Sequence, residues 1–447
     1  MTKSGRMPLR HCALPAAALI ASWSGSSAHA QSISQQSYLQ ENSTLIDPAI
    51  PTDYDRGRNV SVLEQARPDY DPLGIRFGGF LLRPRLDLGA GASDNIFLSA
   101  TGRESDGYAL IAPSAGLNSD WDRNQLILSG GGRFRQYFTY PRRNQDEWDF
   151  KGLGRLDVGS DFSLTGEGQV ERVQEQPFTG EVQSDIAALS SYRRNFGSLR
   201  GQFEAGRIRT IIALDHQDYR FSTIELADGG RFDQSNRNRR INRVSGQIEY
   251  AFSPATSVYA QVGYIDTNYD TDLSPGIANR DSTGYRAIAG ISVDAAGLLR
   301  GTVGLGYTSR DYKSPLYKDV HGVSAEAKIE YFPSVLTTVT LNLRRVIEDS
   351  NIGVTSAYFD NRISLRVDHE VARQLVLSLS GQYSKQDYIA SPDDNRIWQS
   401  HATAHYYISR SIGLLADLSY GNRHQFTAGN SFGLRETAGS LTIVFQQ

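Results

Sequence analysis

The chain has 447 residues, a formal net charge of −3, a mean hydropathy of −0.41 and an unusual load of 42 glycines, 23 tyrosines and 18 phenylalanines. With 46 basic residues against 49 acidic ones there is no cationic surplus to neutralise phosphates, so nucleic-acid binding finds no support. A single cysteine, Cys12, excludes an internal disulfide and a cysteine-ligated metal cluster.

In chain order, Lys3, Arg6 and Arg10 precede the apolar stretch Ala13 to Ala21, and the run ends in Ala28-His29-Ala30. That order predicts a secretory signal cleaved after Ala30. An anchoring helix needs about twenty apolar residues, whereas Pro15 interrupts this stretch and Ser22, Ser24, Ser26 and Ser27 follow it. Removing residues 1–30 leaves 43 basic against 49 acidic residues, a charge of −6, and no cysteine or methionine. Nearly all the remaining cations are arginine, which suits hydrogen-bonded walls better than mobile tails.

Residues 31–77 change character: a polar Gln31–Ser37 run is followed by Pro48, Pro51, Pro68 and Pro72. The expectation is a mostly irregular periplasmic leader, more readily a flexible tail than a segment that plugs a pore or meets a periplasmic partner.

From Gly78 onward the period is two. Phe80, Leu82, Leu86 and Leu88 share one face while Arg83, Arg85 and Asp87 share the other. The pattern recurs with Leu126, Leu128, Gly130, Phe134 and Phe138 against Arg133 and Arg135. It recurs again with Trp148, Phe150, Leu156 and Val158 against Lys151, Arg155 and Asp157. Further along, Val258, Ala260, Val262 and Tyr264 oppose Ser257 and Gln261; Tyr285, Ala287, Ala289, Ile291 and Val293 oppose Arg286 and Asp294; Val323, Ala325, Ala327, Ile329 and Tyr331 oppose Glu326, Lys328 and Glu330. Such charges are intolerable in hydrocarbon, so they must face inward. Average hydropathy stays low in such a protein, because only alternate residues meet lipid.

Connections alternate as well. Short turns are expected near Asp120, Gly159, Gly206, Ser253-Pro254, Ala295-Gly297, Phe332-Ser334, Glu370 and Ser409-Ser411, with longer polar loops between them. Examples are 93–106, 174–190, 222–239, 270–281 and 424–432. Eight turns and nine loops predict an all-β fold: one closed antiparallel transmembrane β-barrel of residues 78–447 with about 18 strands, 16 being the alternative, short turns periplasmic and long loops outside. The last strand places Leu441, Ile443 and Phe445 on one face, resembling the terminal signal read by the barrel-assembly machinery, although Gln446-Gln447 follow.

Catalytic patterns fail on context. Gly429-Asn430-Ser431-Phe432-Gly433 has the spacing of a serine-hydrolase elbow, but that elbow needs a strand-to-helix turn and this one falls between strands. His401 and His405, four apart in a strand, stand roughly 13 Å from each other and cannot share a metal. They are expected on the lumen side with Gln399 and Thr403. Neither a catalytic residue, a cofactor nor a metal is expected. The candidate lumen-lining residues are Arg83, Arg85, Arg133, Arg135, Arg155, Glu167, Arg200, Arg286, Glu326, Lys328, Arg344 and Arg366, with Glu204, Arg243, Glu249, Glu330 and Arg362 beside them. They form either a structural network or a wall that binds sugar hydroxyls and anionic groups.

The entry segment Arg67-Pro68-Asp69-Tyr70-Asp71-Pro72-Leu73-Gly74-Ile75-Arg76, then Gly78-Gly79-Phe80-Leu81-Leu82-Arg83-Pro84 and Asp94-Asn95-Ile96-Phe97, resembles a family of porin-like outer-membrane β-barrels. Genes of that family often lie beside bacterial exopolysaccharide synthesis and export genes. Asn144-Gln145-Asp146, 250–254 and 280–285 are similar to it too, while Ser93 stands where an acidic residue is expected. The resemblance implies an outer-membrane location, a role in export or assembly of exopolysaccharide, and no catalytic residues. Its implied partners are outer-membrane lipid, the barrel-assembly machinery, polysaccharide and periplasmic export components. A general diffusion porin and a structural or adhesive surface protein are the alternatives.

Overall fold

The computed structural model describes residues 55–447 apart from 176–177, 179–188, 226–229, 351–354, 392–393 and 428–429. The signal and the first part of the leader therefore lie outside the described residues.

The strands are β1 (Ile75–Phe77), β2 (Phe80–Ser93), β3 (Asp106–Ser119), β4 (Gln125–Tyr137), β5 (Gln145–Val158), β6 (Phe162–Gln174), β7 (Ser191–Ala205) and β8 (Ile208–Phe221). A two-residue hairpin follows, β9 (Ile224–Glu225) with β10 (Arg231–Phe232). Then come β11 (Arg239–Ser253), β12 (Thr256–Tyr269), β13 (Ser282–Ala295), β14 (Leu299–Tyr312), β15 (Val320–Ser334) and β16 (Thr337–Asp349). The series ends with β17 (Ala357–Ala372), β18 (Leu375–Tyr388), β19 (Asp394–Tyr407), β20 (Ile412–Thr427) and β21 (Asn430–Gln446).

The long strands β2 to β8 and β11 to β21 make a closed, 18-stranded antiparallel barrel, in which each strand pairs with its chain neighbour and β2 pairs with both β3 and β21. Closure removes the edge of unpaired backbone groups that hydrocarbon would not tolerate. Helix among the described residues is limited to single turns such as Pro141–Arg143 and Ser235–Arg237. β1 pairs with Phe80–Leu82, just below where β21 leaves β2 at Arg85, and so fills the foot of the closing seam.

Exposure alternates along the wall, most clearly on β8. On β8, Ile212 and Leu214 stand exposed while Ile211, Ala213, Asp215 and Gln217 between them are buried. Outward positions form an apolar band, with Phe150 on β5, Val262 on β12, Leu305 on β14 and Leu441 on β21 all more than half exposed. Trp148 and Val158 bound the outward face of β5, ten residues apart. At about 3.3 Å per residue and a tilt near 45° that is roughly 23 Å of height, close to the ~25 Å apolar band of such barrels. Strands of 13 to 17 residues exceed the ~10 needed to cross, so they project beyond the membrane at the end with the long connections.

Two boundaries differ from the sequence reading. The turn expected near Glu370 lies after Ala372, because a register shift between Glu370 and Ala372 carries β17 further. Residues 424–427 and 430–432, expected as loop, are strand: β20 and β21 remain paired from His424↔Gly433 to Thr427↔Asn430. Alternation is weak in the sequence of this polar hairpin, so its strand character leaves little trace there.

Candidate functional site

The inner face of the wall is built from the parity opposite the apolar band. It carries ion pairs of a recurring local form. Two residues apart on one strand share a face, so an arginine folds onto the carboxylate beside it. Arg85 meets Asp87 at 2.7 Å, Arg155 meets Asp157 at 2.8 Å, Arg362 meets Asp360 at 2.6 Å and Arg366 meets Asp368 at 2.9 Å. Other pairs cross strands: Lys151 with Glu167 at 2.6 Å and Arg243 with Asp215 at 2.6 Å. Arg135 donates to Gln145 at 2.7 Å and lies over the Tyr108 ring. Glu204 accepts from Gln202 at 2.8 Å. Arg133 is buried beside Arg135, whereas Arg83 and Arg200 are half-buried, opposite Gly116 and Thr165 respectively. Lys328 stands opposite Thr302 and Asn342.

Three candidates converge. Arg286 on β13 bonds Glu326 on β15 at 2.7 Å, reaching across β14, and Arg344 on β16 stands directly opposite Glu326. With Arg243, Gln261 and Glu348 they line a recess in the wall. A second side chain, Tyr259 on β12, also crosses β14, and its reach requires glycine there. A Cβ on Gly304 would lie 2.5 Å from the Tyr259 hydroxyl and 2.7 Å from Ile288. Tyr259 uses that space to cross the wall, accepting from Thr302 at 3.3 Å and donating to Glu326 at 3.4 Å. The remaining candidates are spread around the circumference and do not form one site.

The described part of the leader is pinned, not a free tail. Residues 55–74 run along the inner face at the short-turn rim, following the strands in chain order. Arg56 bonds Glu249 on β11 at 2.6 Å. Asn59 donates to Asp294 on β13 at 2.5 Å and to the Ala295 carbonyl. Arg300 on β14, 2 % exposed, holds the Asn59 carbonyl, Glu64 at 2.7 Å and Glu330 at 2.5 Å. Val62 N–H donates to Thr338 on β16, Arg67 bonds Glu370 on β17, and Arg410 and Gln446 donate to the Pro68 and Tyr70 carbonyls. The segment therefore skirts the rim from β11 to β21 before entering β1. Burial would raise the Glu64 carboxyl, but the Ser61 N–H and the Arg300 guanidinium outweigh it and hold it below its ordinary value.

At the opposite end, Asp349 accepts from Tyr269 at 2.8 Å and Tyr312 at 3.1 Å and pairs with Arg310. Glu175, beyond the end of β6, is gripped by Arg237 at 2.9 Å. Burial pushes the Glu175 carboxyl up, yet Arg237 more than compensates and its value is lowered.

His401 bonds Asp417 at 2.5 Å on the inner face, and His405 stacks near Tyr407 at 4.0 Å between centroids. Gly429 lies outside the described residues, and Asn430 onward is strand. The sequence reading put Asp294 on the inner face and Glu370 at a turn, but missed that they and Arg300 hold the leader, whose bonded residues Asn59, Glu64 and Arg67 lie 235 to 303 positions away. The one available signal was isolated charge amid a proline-rich stretch.

A family model described as "Putative beta-barrel porin 2" matches residues 67–447. No curated protein matches the chain. Among solved structures, a ferric enterobactin receptor (PfeA) mutant from Pseudomonas aeruginosa is 8 % identical with a TM-score of 0.44, covering 82 % of this chain and 80 % of its own. The outer membrane protein OpdK from the same organism is 11 % identical with a TM-score of 0.43, covering 82 % and 99 %.

Proposed function

The chain belongs to this beta-barrel porin family, and from that membership we propose that it sits in the outer membrane as a hydrophilic conduit serving export or assembly of exopolysaccharide. The reading rests on one observation above all: the inner wall presents arginine and carboxylate groups already paired with one another, interleaved with hydroxyl and amide side chains. Paired charges offer hydrogen-bond donors and acceptors of both kinds without a net field, which suits the many hydroxyls of a passing sugar chain. A wall of unpaired arginines would instead trap anions. No catalytic constellation is required for this role.

Deleting the gene should lower surface polymer while polymer accumulates inside the cell. A deletion strain that secretes normal amounts would overturn the assignment. The general diffusion porin is the second reading, favoured by the described part of the leader, residues 55–74, which follows the rim. Large, constitutive, unselective conductance in planar bilayers, together with normal polymer secretion in the deletion strain, would put that reading in place of ours.

A further inference from the structure

Outside the lumen, the outward face carries a cationic patch that neither the wall nor the conduit role uses. Arg172 on β6, Arg193 on β7 and Arg220 on β8 are all exposed and stand directly opposite one another in register, Arg172↔Arg193 and Arg193↔Arg220. Directly opposed side chains have Cβ atoms about 5 Å apart, and like charges so placed repel. Arg220 is compensated by Asp218 at 3.0 Å and by Asp270, and Arg240 on β11 adds a contact to Asp270 at 3.3 Å. Arg172 and Arg193 have no carboxylate within ion-pair reach among the described residues. Arg193 lies 5.7 Å over the ring of Trp148, which stands opposite Arg172. One step down the same outward face, Phe150 and Val170 oppose each other in the apolar band. The patch thus sits where hydrocarbon gives way to headgroups, at the end of the barrel carrying the long connections.

We propose that Arg172 and Arg193, with Trp148 beside them, bind the phosphate of a phosphorylated glycolipid in the outer leaflet. Two guanidinium forks match the oxygens of a phosphate group, the tryptophan packs against the sugar or the upper acyl chain, and Phe150 and Val170 continue the acyl contact. An anion lodged between the two arginines turns their mutual repulsion into a shared attraction. Free phosphate would use the same forks without the apolar half of the site, so the bound form is the lipid. The proposal rests on the outer-membrane reading above.

The test uses the full barrel in detergent, the variant Arg172→Gln/Arg193→Gln, and thermal unfolding followed by heat-modifiable gel migration. The probe is a bisphosphorylated diglucosamine lipid, compared with the same lipid stripped of phosphate and with inorganic phosphate. Without lipid, the variant should fold and melt no lower than the parent, since repulsion is removed. The phosphorylated lipid should raise the parent's midpoint, and the variant should need at least ten times more of it for the same rise. Arg172→Lys/Arg193→Lys should fall between. Equal dose responses in parent and glutamine variant, or equal effects of the dephosphorylated lipid, would overturn the site; an equal effect of inorganic phosphate would overturn its assignment to lipid. Cell fractionation that finds the protein outside the outer membrane, with lipid binding intact, would count against the location and not against the site.

Discussion

Arg67 donates to Glu370 at 2.8 Å across 303 positions of sequence, and the two side chains are only 4 % and 2 % exposed. Arg67 also reaches back to the Val62 carbonyl at 2.8 Å, so one guanidinium ties the leader to the wall and to itself. Removing one partner of a buried ion pair leaves the other charge without compensation, at a cost of about 3–5 kcal/mol. We therefore expect Arg67→Ala and Glu370→Ala each to release the segment around 62–71, seen as new cleavage there in limited proteolysis of the folded barrel. The double variant should lose less than the sum, because no orphaned charge remains. Simple additivity would show that the pair does not couple leader and wall.

The Glu64 clasp on Arg300 is sensitive to acid. A carboxyl held below its ordinary value stabilises the folded arrangement above the unfolded-state value, near 4.5, and that contribution is lost as pH falls through the lower folded value. The clasp should hold from pH 5 to 8 and loosen only below about pH 4. Val60 is exposed and Cys12 is the single cysteine of the chain, so in a Cys12→Ser background a nitroxide on Val60→Cys can report the motion. Its spectrum should sharpen in acid, and Glu64→Gln should be mobile already at pH 7. A spectrum unchanged by Glu64→Gln would remove Glu64 from the clasp.

The barrel was legible because its physics is local. A strand crossing lipid must alternate, and Phe80 to Leu88 or Trp148 to Val158 reveal both faces within nine to eleven residues. Strand number followed from the count of turns. The leader left no comparable signal, since its order comes from Asp294, Arg300 and Glu370, which belong to other strands and have the same local pattern as any inward charge. Nor could alternation tell that Gly304 is the gap through which Tyr259 reaches Glu326, because only the register from β12 to β15 brings Tyr259, Gly290, Gly304 and Glu326 into line.

That gap yields a packing prediction. Gly304→Ala puts a methyl within 3 Å of both Tyr259 and Ile288, and Tyr259 cannot swing aside without giving up Thr302 and Glu326. Overpacking of this kind typically costs 1–3 kcal/mol. Gly304→Ala should lower the unfolding midpoint of the barrel in denaturant, and adding Tyr259→Ala should recover part of the loss by clearing the obstruction. Failure of the second substitution to recover anything would locate the clash at Ile288 instead.

The last prediction concerns the register of the whole wall. Val262 is 62 % exposed on the outward face of β12, Ala289 lies outward and opposite Ala260 on β13, and Gln261, between Val262 and Ala260, is 8 % exposed and lines the recess. An arginine at mid-membrane on the lipid face costs about 2–4 kcal/mol, whereas an inward arginine finds water and, here, the carboxylates of Glu326 and Glu348. Val262→Arg and Ala289→Arg should each impair assembly, seen as a smaller fraction of the fast-migrating folded form on unheated gels. Gln261→Arg, one residue away, should fold nearly as the parent does. Because the side-chain period is two, a register wrong by one residue would exchange these outcomes, with Gln261→Arg failing and the other two folding. Equal yields for all three would mean that neither face of β12 and β13 meets hydrocarbon at this height, and that the apolar band lies elsewhere on the wall.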